Sequence, residues 1–294
     1  MLLYNIELGV IFIKEYLQIK KTVIDVGLKK EYKFFQISDA HITVLDNQSS
    51  DVDKADYERS RKQWHKMKQD FAKQFGEFCD ERYDGEPTVS FERLMQYAKS
   101  NNFDSIIWSG DIIDRVTESS IRYIKGVLDK SEIPIIYCPG NHESIYVDGT
   151  HTRLYEQLKP VMDKPAFDKV DFDEFKVITI DNATKDITDE QLDLLSKEVK
   201  EEKKILLVVH APICIGEFGR EAISKFGSYF VMGIENDPPN THKLIDIINN
   251  NIEKFICILA GHVHTNFEAS VSGNLKQITT SSALIGVGRE IILK

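Results

Sequence analysis

Five short apolar runs predict β-strands in the core of the protein. The runs cover residues 32–38, 105–109, 135–139, 205–209 and 255–260. Each is rich in branched aliphatic or aromatic residues and is bounded by polar or turn-forming residues, which favours a short strand over a helix. Amphipathic segments lie between several runs. This alternation predicts parallel strands with helices on the outside of the sheet.

Polar side chains follow each of the five runs. They are Asp39, His41, Asp111, Asp114, Asn141, His142, His210, His262 and His264. Open α/β sheets bind ligands at the carboxyl ends of their strands, so we expect these side chains to lie together. Five of the eight histidines of the chain fall at these points, which chance placement does not explain.

The last run ends in Gly261, His262, Val263 and His264. Side chains two residues apart on an extended chain point the same way, so we expect both imidazoles on one side of the strand end. Imidazole nitrogen is a common ligand of divalent transition metals. A pair of polar loop histidines is the alternative for this stretch alone.

A long amphipathic segment, residues 51–83, predicts a single helix or a broken pair of helices. The residues on one face, at spacings of three, four and seven, are Tyr57, Trp64, Met67, Phe71, Phe75, Phe78 and Arg82. In one interpretation this face packs on the rest of the domain. In the other, the segment is a cap beside the polar cluster, because it follows His41 closely. A dimer interface is compatible with both.

The remaining pattern predicts further helices and strands. Helices are expected at 89–99, 117–130, 188–200 and 242–250, and a strand at 175–180. Residues 211–240, rich in glycine and proline, predict an irregular pocket wall.

The two ends of the chain carry predictions of their own. Gly27 separates 22–26 from 33–37, which predicts a β-hairpin. Segments 267–271, 275–279 and 290–293 predict antiparallel strands near the C-terminus.

The amino-acid composition limits the kinds of molecule that the protein is expected to bind. The chain has 294 residues and a net charge of −10, which argues against a grip on bulk nucleic acid. A small anionic substrate held by metal ions is compatible with this charge. The four cysteines have no paired spacing and indicate a reduced protein. We expect one domain, residues 1–294, with a helical insertion at about 51–84.

The N-terminal residues lack the features of a signal peptide, and no run is long enough to span a membrane. An opening strand or helix in a cytoplasmic protein is therefore expected. Peripheral contact with a membrane through Val10 to Ile13 is the alternative.

The ordered set of polar blocks resembles the calcineurin-like metallophosphoesterase family. The blocks are Asp39-x-His41, Gly110-Asp111-x-x-Asp114, Gly140-Asn141-His142-Glu143, His210 and Gly261-His262-x-His264. A single block is a weak signal, whereas the set in this order is specific. The resemblance spans roughly residues 32 to 290. It implies an α/β fold, a four-layer αββα sandwich of two mixed β-sheets flanked by helices, with a long helical insertion after the first motif.

The same resemblance implies a binuclear metal site. The implied ligands are Asp39, His41 and His264 for the first ion and Asn141, His210 and His262 for the second, with Asp111 as the bridge. Manganese, iron and zinc all suit mixed nitrogen and oxygen ligands, and manganese is favoured. In the implied mechanism, a hydroxide shared by the two ions attacks phosphorus in line.

Two further residues have implied catalytic roles. His142 would protonate the leaving oxygen or hold a phosphoryl oxygen, and Asp114 would orient its ring. A helix N-cap is the alternative role for Asp114. Glu143 is expected beside the ligands or at a helix start.

Arg115 stands where related protein Ser/Thr phosphatases have a phosphate-binding arginine. The first block of those enzymes is Gly-Asp-x-His-Gly, whereas residues 38–42 here are Ser-Asp-Ala-His-Ile. They also lack the Gly-His-x-His ending. A salt bridge at a helix end is therefore the alternative role for Arg115.

Together these features predict a metal-dependent hydrolase of small phosphoesters, nucleotides included, with phosphodiesters favoured over phosphomonoesters. A non-catalytic binding or scaffold protein on the same fold is one alternative, which the complete ligand set disfavours. A nuclease of the same superfamily is another, which the acidic composition disfavours.

Overall fold

A computed structural model describes residues 17–75, 86–143, 146–147, 150–151 and 155–294. The expected element before residue 17, the membrane contact through Val10 to Ile13, and the predicted face residues Phe78 and Arg82 lie outside this range. The side chains of Phe71 and Phe75 are also outside what the structure describes. No helix in the described ranges is long and apolar enough to cross a membrane.

Thirteen strands form two large sheets and one small hairpin in the described part of the chain. Their bounds are β1 Gln18–Ile24, β2 Tyr32–Ile37, β3 Ser105–Ser109, β4 Ile135–Cys138, β5 Tyr146–Val147, β6 Thr150–His151, β7 Phe167–Asp171, β8 Phe175–Ile180, β9 Lys204–Val208, β10 Phe255–Ala260, β11 Phe267–Ser272, β12 Leu275–Thr279 and β13 Val287–Leu293. The first sheet has the order β1-β13-β2-β3-β4, and the second β11-β12-β10-β9-β8-β7. Both sheets are mixed, and the five predicted strands are β2, β3, β4, β9 and β10.

Seven α-helices accompany the sheets in the same ranges. Their bounds are α1 Asp51–Phe75, α2 Pro87–Ser100, α3 Glu118–Lys130, α4 Tyr155–Leu158, α5 Asp189–Glu198, α6 Gly216–Phe226 and α7 Pro239–Asn249. Side chains of Thr117 and Thr188 accept hydrogen bonds at the N-termini of α3 and α5, which fixes where these helices begin.

The two sheets pack face to face with helices on their outer sides. Phe34 of the first sheet contacts Phe175 of the second at a ring distance of 6.0 Å, inside a buried cluster drawn from both sheets. Helices α2 and α3 pack on the outer face of the first sheet. Helices α5, α6 and α7 pack on that of the second. The predicted α/β sandwich of two mixed sheets flanked by helices is thus confirmed.

The inserted helix α1 begins at a capping box, in which the side chains of Ser50 and Asp53 each accept a hydrogen bond from the other residue's backbone amide. Ser50 Oγ accepts from the Asp53 amide at 3.1 Å, and Asp53 Oδ2 accepts from the Ser50 amide at 2.9 Å. On the predicted aromatic face, Trp64 is buried and packs edge-on against Tyr57. The first part of α1 therefore packs on the domain.

The predicted hairpin near residue 27 was wrong. Strand β13 lies between β1 and β2, parallel to the first and antiparallel to the second. Gly27 does turn the chain, with φ of +73°. The loop between β1 and β2 leaves a gap between these two strands that is one strand wide. A strand from the far end of the chain fills that gap, and a local pattern carries no signal for such pairing.

Two other predictions need the same kind of correction. Strands β11 and β12 are antiparallel as predicted, but β13 crosses to the other sheet instead of joining them. The segment 211–240 is not wholly irregular, because it contains α6. Phe218, Ala222 and Phe226 recur every four residues and bury one face of that helix. The neighbouring glycines hid this periodicity.

Candidate metal centre

The polar residues that follow β2, β3, β4, β9 and β10 meet at the facing edges of the two sheets. The structure brings together Asp39, His41, Asp111, Asp114, Asn141, His142, His210, His262 and His264. All the predicted metal-site and catalytic residues are therefore in one cluster. Arg115 lies at its border.

One group of donors consists of Asp39, His41 and His264. Nε2 of His264 lies 3.2 Å from Oδ1 of Asp39 and 3.0 Å from Nε2 of His41. All three side chains are buried. Their ligand atoms lie within 4.8 Å of one another, which is close enough for one cation to contact all three.

A second group consists of Asp111, His210 and His262, again within 4.8 Å. Nε2 of His210 lies 3.2 Å from Oδ2 of Asp111 and 3.0 Å from Oδ1 of Asn141. The rings of His210 and His262 are 5.0 Å apart. Asn141 thus adds an amide oxygen to this group.

Asp111 also belongs to a third set with His41 and His142. Oδ1 of Asp111 accepts a hydrogen bond from the His142 amide at 2.8 Å, and Oδ2 is 3.9 Å from His142 Nε2. Asp111 therefore lies between the two groups of donors. His142 is near enough to serve either as a proton donor or as a further ligand.

The expected geometry of His262 and His264 was wrong. The chain leaves the extended conformation after β10, and both residues have positive φ, +68° and +49°. Their rings enter different donor groups instead of sharing one side of a strand. Side chains alternate regularly only where the chain is extended. A left-handed backbone conformation therefore changes the direction of each ring in a way that strand periodicity does not predict.

Asp114 contacts two histidines. Its Oδ1 lies 2.8 Å from Nδ1 of His142 and 3.2 Å from Nδ1 of His41. The N-cap of α3 is Thr117, so Asp114 has no capping role there. A carboxylate at Nδ1 places the proton on that nitrogen and leaves Nε2 for a metal or a substrate.

The charges of the cluster stabilise one another. Burial opposes ionisation of Asp39 and Asp111, yet neighbouring histidines lower the pKa of both carboxyls on balance. Burial likewise opposes protonation of His210 and His142, but nearby Asp111 raises their pKa values to about 10 and about 9. For His262, burial and the charge of His210 lower the pKa to about 3. The carboxylates thus attract positive charge to this cluster, and a cation bound there would replace the second proton of His210.

Several residues that support the cluster were not predicted. The carbonyl of Ser109 lies 2.9 Å from Nδ1 of His210, and Oδ1 of Asn182 accepts from the His210 amide at 2.9 Å. Asn182 follows β8 just as the predicted residues follow their strands, so the signal for it was present. Ser60 of α1 contacts Asp114, and nothing in the sequence indicated that contact.

Glu143 holds the loops that carry the donors. Its buried carboxylate accepts hydrogen bonds from the amides of Asp111, Ile113 and Gly140 at 2.8–2.9 Å. The hydroxyl of Tyr137 donates to it at 2.7 Å. Of the two positions predicted for Glu143, beside the ligands or at a helix start, the structure shows the first.

The loops approach so closely that glycine is required. A Cβ on Gly140 would overlap Oδ1 of Asp111, and a Cβ on Gly261 would overlap Oγ of Ser38. Gly110 has φ of +94° and packs against the ring of His210. The glycines of the sequence blocks therefore allow the strand ends to meet.

Arg115 lies at the border of the cluster. Its Nε is 4.0 Å from Oδ2 of Asp114 and has no hydrogen-bond partner among the described residues. The side chain is 20% exposed. Both predicted roles, phosphate contact and salt bridge, remain predictions.

The donor set fits divalent transition-metal ions. Each group combines imidazole nitrogen with carboxylate or amide oxygen, and none of the cysteines that the structure describes belongs to either group. Cys138, Cys214 and Cys257 are free thiols elsewhere in the described structure. Asp114 lies at Nδ1 of His41 and of His142, and the Ser109 carbonyl lies at Nδ1 of His210, as supporting groups do in metal sites.

Three comparisons bear on the identity of the chain. The sequence profile of the calcineurin-like phosphoesterase family matches residues 32–266. A stretch of 115 residues is 26% identical to a protein of Fibrobacter succinogenes named a probable cyclic nucleotide phosphodiesterase. That match covers 39% of this chain and 44% of the relative, which is less than half of either protein.

The fold is similar to two solved structures. A dimetal phosphatase from Danio rerio superposes with a TM-score of 0.51 at 11% identity, covering 86% of this chain and 88% of that one. A purple acid phosphatase from yellow lupin seeds superposes with a TM-score of 0.50 at 12% identity, covering 88% and 44%. These likenesses show the fold alone. Because the profile spans most of the sequence and the residues of all five blocks meet at one site, the protein belongs to the calcineurin-like phosphoesterase family.

Proposed function

We propose that the protein hydrolyses phosphodiesters of nucleotides with two divalent metal ions at this site. The observation that carries the proposal is the meeting of two donor groups around Asp111. Bound there, the ions would activate water for attack on phosphorus and neutralise charge on the phosphoryl oxygens. Asp39, His41 and His264 would hold one ion, and Asn141, His210 and His262 the other.

His142 is the proposed proton donor. Asp114 holds Nδ1 of His142, so Nε2 faces the cluster and can give its proton to the leaving oxygen. The new bond joins phosphorus to the water oxygen, and the bond to the leaving oxygen breaks. His142 then regains a proton from solvent. Burial opposes protonation, but the charges of Asp111 and Asp114 raise the pKa of His142, which favours the protonated ring that a proton donor needs.

Two observations support a nucleotide as substrate. The Fibrobacter succinogenes relative is named for cyclic nucleotides. In this chain, the half-buried ring of Phe230 lies 5.8 Å from the ring of His262, and Tyr229, 72% exposed, packs edge-on against Phe230. These two aromatic side chains offer a stacking surface for a base beside the proposed metal site.

Metal-dependent assays test the reaction. We expect protein stripped of metal and reloaded with manganese to turn over bis(p-nitrophenyl) phosphate faster than p-nitrophenyl phosphate. A faster monoester would contradict the diesterase proposal. Absence of turnover by protein that carries two ions per chain would favour the scaffold alternative.

A variant tests the substrate class. Tyr229→Ala should raise KM for a cyclic nucleotide about 5-fold or more, because stacking on one aromatic ring contributes about 1–3 kcal/mol. Val23→Ala, which removes another exposed apolar side chain on β1, is the matched control and should change nothing. Equal KM values for Tyr229→Ala and wild type would remove this support for a base-binding surface.

A further inference from the structure

A side chain of the inserted helix α1, that of Ser60, reaches the candidate active site. Ser60 is completely buried and donates a hydrogen bond to Oδ2 of Asp114. Its Oγ is also 3.0 Å from Oγ1 of Thr43, which is buried as well. Neither hydroxyl belongs to the sequence blocks of the family.

The direction of these hydrogen bonds follows from counting protons. A hydroxyl carries one proton, and an ionised carboxylate can only accept. Oδ1 of Asp114 faces the Nδ1 atoms of His142 and His41, and Oδ2 lies at hydrogen-bond distance from the Ser60 hydroxyl. Ser60 must therefore give its proton to Asp114, and Thr43 must donate to Ser60. The buried chain runs from Thr43 to Ser60 to Asp114.

Asp114 is thus held at both oxygens. Oδ2 accepts a hydrogen bond from the hydroxyl of Ser60, while Oδ1 faces Nδ1 of His142 and Nδ1 of His41. A carboxylate held at Oδ1 alone can rotate about its terminal torsion, which is a soft one. A donor at Oδ2 limits that rotation and so fixes the position of Oδ1.

We infer that Ser60 is a positioning residue, through which α1 orients His142 and His41 for the proposed reaction. The insertion then forms part of the active-site support and is not a cap that can be removed. Hydrogen bonds to ionised groups are short and strong, and small displacements of a reacting group are costly to rate. The inference rests on the proposed function for its kinetic consequence, but its structural consequence can be measured without turnover.

Ser60→Ala removes the hydroxyl, and Ser60→Cys keeps most of the volume with a weaker donor. Ser90→Ala is the matched control, because Ser90 is a buried serine on α2 whose hydroxyl donates to the Leu284 carbonyl instead. The first measurement is ¹⁵N NMR of the histidine side chains in the manganese-free protein. We expect Ser60→Ala to shift the Nδ1–H signals of His142 and His41 and to leave that of His242 in place.

The second measurement is kinetic. Ser60→Ala should lower kcat on a nucleotide diester by about 10-fold with little change in KM. In an Asp114→Asn background the same substitution should cost about 2-fold or less, because the two residues act in series. Ser60→Cys should fall between wild type and Ser60→Ala. Ser90→Ala should retain full kcat even where its melting temperature falls.

Two results would overturn the inference. One is an unchanged histidine spectrum in folded Ser60→Ala. The other is a loss of rate that persists in full when Asp114 is already replaced. If wild-type protein shows no turnover, the proposed function fails, while the NMR measurement still decides the role of Ser60.

Discussion

Asp39, His41, Asp111, His262 and His264 share a left-handed backbone conformation. They are five of the seven non-glycine residues with positive φ in the described structure. Each such residue costs about 1 kcal/mol or more, so the surroundings must impose the conformation. The amides of Asp39 and His41 donate to the carbonyls of Gly110 and Asp111 at 2.9 Å, which ties neighbouring strand ends together. This strain is concentrated where the donors lie.

At this scale the sequence predicted the identity of the donors but not their orientation. Order and spacing of the blocks were enough to name Asp39, His41 and their partners. The direction of each donor side chain depends on positive φ values, which are uncommon for residues other than glycine. The hydrophobic and polar pattern of the sequence does not predict them. Ser60 was missed because its contact with Asp114 joins residues 54 positions apart.

Gly140→Ala should disrupt the metal site. A Cβ there would overlap Oδ1 and the backbone nitrogen of Asp111, so both the carboxylate and the loop that carries it must shift. We expect the variant to lose at least one metal ion per chain by elemental analysis and about 100-fold or more in rate. Gly126→Ala is the control, because a Cβ on Gly126 of α3 meets nothing and should stabilise the helix by about 0.5–1 kcal/mol. Full metal content in Gly140→Ala would contradict this prediction.

His142→Ala should affect esters according to their leaving group. An alkoxide needs a proton to depart, whereas p-nitrophenolate does not. General-acid catalysis contributes roughly 10²–10⁴ in rate, so the variant should lose about that much on an alkyl ester and far less on a nitrophenyl ester. Metal content should stay at the wild-type level.

The control for this test is His262→Ala, which should lower metal content and slow both esters alike. Steady-state rates on the two esters are the measurement. An equal loss on both esters for His142→Ala would mean that His142 positions phosphate or acts as a ligand.

Among the elements, the strands that carry the donors were predicted to within two residues. Short apolar runs between polar blocks have one plausible structure when both faces are buried. The errors fall on elements whose place depends on distant partners. Strand β13 fills the gap between β1 and β2, and α6 forms in a glycine-rich stretch because Phe218 and Phe226 find a core to pack on.

A buried lysine links β8 to the C-terminal end of α5. The side chain of Lys176 is 2% exposed, and its Nζ donates to the backbone carbonyl of Glu198 at 2.9 Å and to the Glu198 carboxylate. Lys169 also donates to that carboxylate at 3.0 Å. Burial opposes ionisation of Glu198, but hydrogen bonds from the two lysines lower its pKa below 4.5 on balance. The ion pair therefore stabilises the folded protein wherever Glu198 is ionised.

Glu198→Gln should consequently destabilise the protein in a pH-dependent way. A lowered folded-state pKa contributes stability that is present above the unfolded value of 4.5 and is lost as pH falls through the folded value. At pH 7 the variant should lose about 1–3 kcal/mol, because a buried ammonium is left with a weaker partner. Urea unfolding from neutral to acid pH should show the two proteins converging.

The matched control is Glu156→Gln. Glu156 of α4 pairs with Lys159, which directly follows that helix, but it is 83% exposed, so its replacement should change stability little at any pH. A constant difference between Glu198→Gln and wild type across the pH range would show that packing, not charge, is the contribution of Glu198.

For the molecule as a whole, the site depends on both sheets. Residues after β2, β3 and β4 of the first sheet meet residues after β9 and β10 of the second. Asp39 approaches His264 across this boundary, and Asp111 approaches His210. Ions bound between these pairs would link the two halves of the sandwich, so metal binding should stabilise the fold.

Metal titration followed by thermal unfolding measures that link. A ligand that binds the folded state alone stabilises it by about 2.7 kcal/mol at 100 times its Kd, so two sites should raise the melting temperature by several degrees. Elemental analysis should give two ions per chain at saturation. Asp111→Asn should abolish most of the stabilisation and reduce metal at both sites, because Asp111 lies between the two donor groups.

Asp129→Asn is the control for this substitution. Asp129 forms an exposed ion pair with Lys125 on α3 and does not belong to either donor group. Its replacement should therefore leave the metal content unchanged. If wild-type protein saturates at one ion per chain, the two-ion site is wrong. If Asp111→Asn loses only one of two ions, Asp111 serves one donor group and the other group binds independently. The sheets would then be linked by the ion that remains.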